Sequence, residues 1–181
     1  MATKTLEIHG ILEWAKLFED DRDNGEYDVE TDGATSIDII VDPANQAIIE
    51  AAGVRKKARP DPDGRGVRYA FKRAWKDKYE REWAEGPPRI FTPAGNAWSK
   101  EEDGLIGNGS VGVVYLDVWS GKMGVGSRLS GVQVIDHVTF SKEGGGGSPG
   151  LKPKDYTQGQ AQAPQSPPPT AAPVVDDNIP F

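Results

Sequence analysis

The chain has 181 residues, of which 36% are hydrophobic, and carries a formal net charge of −7 with two histidines and no cysteine. That composition excludes a disulfide scaffold, a zinc–thiolate site and an iron–sulfur cluster, and it fits a reducing cytoplasm. No run approaches the ~18 apolar residues a membrane-spanning helix needs, and the opening MATKTLEIHG lacks the basic-then-apolar order of a secretory signal.

In chain order, residues 5–18 (TLEIHGILEWAKLF) read as an apolar-rich first strand bent at Gly10, and Asn24-Gly25 as a turn. Residues 20–31 (DDRDNGEYDVET) approach a calcium loop with Gly25 at its sixth position. Arg22 then occupies the third position and Thr31 the twelfth, where an acid and a glutamate are required, so an acidic solvated loop is the better reading. Residues 34–41 (ATSIDIIV) form a second strand. Asp42-Pro43 then starts a helix, a capping side chain followed by proline at the first helical position, and Gly53 ends it.

Residues 66–76 alternate Val67, Tyr69, Phe71, Arg73 and Trp75 with Arg68, Ala70, Lys72, Ala74 and Lys76. This suits a strand with one aromatic and one basic face. Phe71, Trp75, Tyr79 and Trp83 are also spaced i, i+4, so an amphipathic helix over 70–84 competes with a strand to about residue 76. Residues 89–92 read as a short strand, and 111–119 and 129–141 as the clearest strands, the latter alternating Val132, Val134, Asp136, Val138 and Phe140. The fold class is mainly β: a five-stranded OB-type barrel with one helix after the second strand.

From Glu143 onward 39 residues hold 8 of the 14 prolines in a Gly/Gln/Ala-rich mixture. Such a segment cannot bury enough apolar surface to offset its ordering entropy and reads as a disordered C-terminal tail. The expected organisation is therefore a domain at 1–142, a linker at 143–175 and a distinct tip at 176–181.

Charge is segregated along the domain. Residues 1–54 carry 3 basic and 13 acidic side chains, residues 55–89 carry 12 and 6, and residues 90–142 carry 4 and 5. The basic segment also holds five of the fifteen aromatics. Rings interleaved with cations suit a single-strand groove, where bases stack and phosphates are neutralised. The competing reading keeps Tyr69, Phe71 and Trp75 in the core with Lys and Arg as a solvated face.

Other motifs are weaker. Residues 107–112 (GNGSVG) match GxGxxG, but a β sequence follows rather than a helix, so a glycine-rich turn is expected. His9 and His137 lie in separate expected strands with no carboxylate at ligand spacing, so neither a metal nor any other cofactor is indicated. No serine has an inferable histidine–acid partner, and no enzyme is expected.

Asp176-Asp177-Asn178-Ile179-Pro180-Phe181 is similar to the C-terminal tip of bacterial single-stranded DNA-binding proteins. The body resembles instead the OB-fold single-stranded DNA-binding proteins that tailed phages encode for replication. The order of features carries this resemblance: two strands, the helix, the basic-aromatic strand, Leu105-Ile106-Gly107-Asn108-Gly109-Ser110 before a long strand, then Gly124-Val125-Gly126-Ser127 before the last. The tail departs from the phage pattern, being short and of bacterial type.

The resemblance implies a non-enzymatic protein that coats single strands in replication, recombination and repair, in the host cytoplasm if phage-encoded. Phosphate contacts would fall to Arg55, Lys56, Lys57, Arg59, Arg68, Lys72, Arg73, Lys76 and Lys78, and stacking to Trp75, Tyr79 and Trp83. Asp176, Asp177, Ile179, Pro180 and Phe181 would recruit phage or host replication or repair proteins. A homo-oligomer is compatible, a membrane partner is not. A recombination mediator or annealing protein, and an adaptor acting only through its tail, stay open as alternatives.

Overall fold

The computed structural model describes residues 2–140; the expected linker at 143–175 and tip at 176–181 lie outside the described residues. Nine strands and two helices follow one another, the long strands being β1 (Thr3–Lys16), β2 (Ala34–Val41), β4 (Val67–Ala74), β7 (Ser110–Gly121) and β8 (Gly124–Asp136). Four short ones, β3 (Arg59–Pro60), β5 (Arg89–Phe91), β6 (Leu105–Ile106) and β9 (Thr139–Phe140), flank them, with α1 at Pro43–Ala51 and α2 at Lys100–Asp103. The main sheet runs β3-β4-β2-β1-β7-β8-β5, and β6 pairs with β9. This mainly β, OB-like architecture with a helix after the second strand agrees with the sequence expectation.

Period-two alternation explains the core. Leu6, Ile8 and Leu12 of β1, Ile37, Ile39 and Val41 of β2, Tyr69 and Phe71 of β4, and Leu129, Val132 and Val134 of β8 all point inward and are buried. Helix α1 begins as its sequence dictates: the Asp42 carboxylate accepts the Asn45 N–H at 2.8 Å and Pro43 takes the first turn. Asn45 Oδ1 accepts the His9 N–H at 2.9 Å, fastening the helix to β1.

Three boundaries differ from expectation. Gly10 does not bend β1; it stays in register opposite Gly112, and its missing Cβ would lie 2.3 Å from the Ile40 carbonyl oxygen. The irregularity falls at Trp14, where φ is 50°. The last strand starts at Gly124 and stops at Asp136, so Val138 and Phe140 are exposed rather than continuing the inward alternation. Over 66–83 the strand reading holds only to Ala74, and a turn with a short 3-10 segment at Glu82–Ala84 replaces the competing helix.

Candidate nucleic-acid interface

Alternation on β4 sorts the basic-aromatic segment into two faces. Tyr69 and Phe71 are buried and stacked, centroids 6.2 Å apart, and belong to the core. Arg73 shares that inner face, which corrects its expected role as a phosphate contact. Its Nε donates to Gly86 O at 2.7 Å, its Nη2 to Glu85 O at 2.7 Å, and its Nη1 to Leu129 O at 3.4 Å. Burial, reinforced by the nearby Arg128, pushes its guanidinium below the usual arginine range. Arg73 is thus a strut from β4 to β8 and to the following loop, each of its three guanidinium nitrogens donating to a backbone carbonyl.

The outer-face cations meet acids of the first fifty residues and Asp61. Arg68 pairs with Glu13 at 2.6 Å, Asp61 at 3.0 Å and Asp38 at 3.5 Å. Lys72 lies 3.4 Å from Asp28, Lys76 3.1 Å from Asp32, and Arg59 3.6 Å from Asp38. The charge segregation read along the chain is therefore largely cancelled in space. Arg55, Lys56, Lys57 and Lys78 are the expected cations that remain exposed without a carboxylate among the described residues.

The segment after β4 fails to become a helix because distant backbone carbonyls and the Asp77 side chain take its N–H groups first. Trp75 N–H donates to Gly33 O at 3.0 Å and Lys76 N–H to Thr31 O at 2.7 Å. The Asp77 carboxylate accepts the N–H groups of Tyr79 and Arg81, both at 3.1 Å, and the Arg81 guanidinium at 2.7 and 2.8 Å. The Arg81 contacts hold that carboxyl well below the usual carboxylate range. Gly86 N–H closes the loop on Trp75 O at 2.9 Å.

This loop presents Trp83, 64% exposed, at a groove of about 490 Å³ shared with Arg81, Trp119 and Arg128. The guanidinium carbons of Arg81 and Arg128 lie 5.0 and 4.9 Å from the Trp83 ring centroid, within cation–π range. Trp119 faces Gly126 in the β7–β8 ladder, and a Cβ on Gly126 would fall 2.5 Å from the indole. The absent side chain is what lets that ring lie against the strand. Of the three expected stacking residues, Tyr79 and Trp83 are exposed, whereas Trp75 is half-buried with Arg22 over its ring at 4.6 Å.

Arg81, Trp119 and Arg128 were missed by sequence reasoning. An aromatic facing glycine across a strand pair was the available signal for Trp119. Among the described residues no cluster of three or more His or acidic side chains could hold a metal, and no helix is long and apolar enough to cross a membrane.

No family model and no curated protein matches the chain. Two of the solved structures similar to it in fold are phage proteins. One is the single-stranded DNA-binding protein from bacteriophage Enc34 in complex with single-stranded DNA, with TM-score 0.51, 14% identity, and coverage of 74% of this chain and 87% of that one. The other is gp2.5, a single-stranded DNA-binding protein encoded by bacteriophage T7, with TM-score 0.51, 18% identity, and coverage of 90% and 98%. At these identities the likeness is one of fold.

Proposed function

We propose that this chain binds and coats single-stranded DNA without catalysing a reaction, in replication, recombination or repair. The groove at the end of β4 supports the reading best. Two tryptophans with Arg81 and Arg128 beside them combine a stacking surface with cations, the pairing that sequence-tolerant single-strand binding uses. The fold shared with two phage proteins described as single-stranded DNA-binding supports the same reading. Tyr79 and the exposed Arg55, Lys56, Lys57 and Lys78 would extend the contact, while Lys72 and Lys76 would have to trade a carboxylate for a phosphate, and Arg59 and Arg68, held by Glu13, Asp38 and Asp61, would contribute no phosphate contact.

The deciding experiment is a tryptophan-fluorescence titration with poly(dT) at two salt concentrations, with duplex DNA as competitor. Affinity should fall with salt at a log–log slope near −0.7 per phosphate contacted. A flat response, or tighter binding to duplex, would sink the reading. In the same proposal the tip Asp176, Asp177, Ile179, Pro180 and Phe181 recruits replication or repair proteins. Phe181→Ala should abolish partner capture and leave DNA affinity unchanged; retained capture would remove the tip from the mechanism.

A further inference from the structure

Trp14 lies away from the groove and outside every expectation drawn from the sequence. It sits where β1 carries one extra residue against β2, between the Glu13↔Asp38 and Lys16↔Ser36 pairs. Its φ of 50° is a left-handed conformation that a bulky side chain holds only where its surroundings impose it. The glycine-rich turn at 107–109 does so. Asn108 Oδ1 accepts the Trp14 N–H at 2.7 Å, and Gly109 N–H donates to Leu12 O at 3.0 Å. The result is an indole 60% exposed to solvent. A hydrophobic ring forced outward against backbone strain does not serve the core.

The ring opens onto a cleft of about 600 Å³ walled by Arg59, Pro60, Pro62, Arg65 and Arg68. Two guanidiniums of that wall are locked from behind by buried carboxylates. Glu13 takes Arg65 at 2.7 Å and Arg68 at 2.6 Å, and the fully buried Asp61 takes Arg65 at 2.8 Å and Arg68 at 3.0 Å. Asp38 and Asp63 pair with Arg59 and Arg65 at 3.6 and 3.4 Å. Four carboxylates against three guanidiniums leave no positive excess for a phosphate. What the cleft offers is flat surface: an indole, two proline rings and immobilised guanidinium planes, the surroundings of an unpaired base.

Its position fits a strand already bound elsewhere. Arg68 stands at the start of the outer face of β4, and Lys72, which lines the Trp83 groove, stands one turn of pleat pairs further along it. At ~3.3 Å per residue these two lining residues stand on the order of 13 Å apart along the strand, so a single strand filling the ~4–16 nucleotides that one OB fold covers can touch both linings.

We propose that the Trp14 cleft is a second base-stacking station, taking one unpaired base of a single strand held at the Trp83–Trp119 groove. It rests on the single-stranded DNA reading above. The test uses Trp14→Gly, because glycine accepts the left-handed backbone while removing the ring. The melting temperature should stay level or rise, and affinity for oligo(dT) of about 16 nucleotides should fall roughly 5- to 150-fold, the loss of one stacked base. Affinity for an oligomer of about 2 nucleotides, shorter than the ~4-nucleotide minimum of an OB-fold site, should not change, and neither should the salt slope. If Trp14→Gly binds the long oligomer like the parent while Trp83→Ala does not, the station is wrong and the DNA reading stands. If the parent binds no single strand, both fall. A sharp drop in melting temperature with equal loss on both lengths would make the ring structural and overturn the proposal.

Discussion

The two ends of β4 use the same residue types in opposite ways. At its C-terminal end Trp83 and Trp119 share a groove with Arg81 and Arg128, whose guanidiniums lie beside the Trp83 ring. At its N-terminal end Trp14 shares a cleft with Arg65 and Arg68, whose guanidiniums are held by buried Glu13 and Asp61. A count of tryptophans and arginines does not distinguish them. Carboxylates hold the guanidiniums at both ends, Asp77 on Arg81 at 2.7 Å and Asp117 on Arg128 at 3.1 Å; the difference is that each of these takes one arginine, whereas Glu13 and Asp61 each take both Arg65 and Arg68. The comparison teaches that a cation's partner, more than its presence, decides whether a site can add phosphate binding to base stacking.

The strongest way to break the contrast is to remove the strut that holds the groove loop. Arg73→Met leaves the Glu85 and Gly86 carbonyls, each bonded at 2.7 Å, without their donor. Stability should fall by roughly 2–4 kcal/mol, since an orphaned buried polar group costs ~1–3 kcal/mol. Arg73→Lys should recover part of this in urea unfolding, and parental stability in the methionine variant would deny the strut. Next comes the ring itself. Trp83→Ala should cost roughly 1–3 kcal/mol of single-strand affinity, while its exposure keeps the folding change within about 0.5 kcal/mol.

Salt separates the two ends further. Lys56→Gln or Lys57→Gln should flatten the log–log salt slope by about 0.7 for each phosphate lost. Arg68→Gln should leave the slope alone and destabilise the fold, because buried Glu13 and Asp61 each lose a partner. A changed slope for Arg68→Gln would place a phosphate where the geometry leaves no room for one.

The smallest expected effect is a pH dependence at the Trp14 end. Hydrogen bonds from Arg65 hold the Asp61 carboxyl well below its ordinary value of 3.8. A carboxyl lowered in the folded state stabilises it above that value and loses the contribution as pH falls. The melting-temperature gap between the parent and Asp61→Asn should therefore narrow below about pH 4. Burial, aided by neighbouring Glu13, raises Asp38 instead, so protonating Asp38 works in the opposite direction. Asp38 is present in both proteins, so its contribution cancels from the gap, and a gap that stays constant or widens on acidification would refute the assignment to Asp61.

Local signals were legible. Asp42-Pro43 announces α1 and the ATSIDIIV alternation announces β2, because each is decided by neighbours within a few residues. Trp83 was legible as an exposed ring. Arg73 was half-legible: its position among Tyr69 and Phe71 put it on the inner face, but only the approach of β8 supplies its acceptor at Leu129. The locking of Arg68 was hidden for the same reason, since Glu13 lies on another strand. Trp14 was invisible, its left-handed backbone being imposed by Asn108 more than ninety positions later.

The β1–β7 ladder, from Thr3↔Trp119 to Leu12↔Ser110, joins residues roughly a hundred positions apart, which is slow to close in a β protein. During synthesis β1 therefore waits with Leu6, Ile8 and Leu12 uncovered and one edge unpaired, the form in which nascent strands associate with one another. The same stretch, residues 1–54, carries thirteen acids against three bases, and like-charged chains stay apart until the basic segment is made. The acidic surplus of these residues would then serve as a gatekeeper for the chain's own folding. Refolding of a variant with Glu19, Asp20 and Glu26 converted to amides, followed by light scattering, should show more aggregate than the parent if that is so, and no difference would refute it.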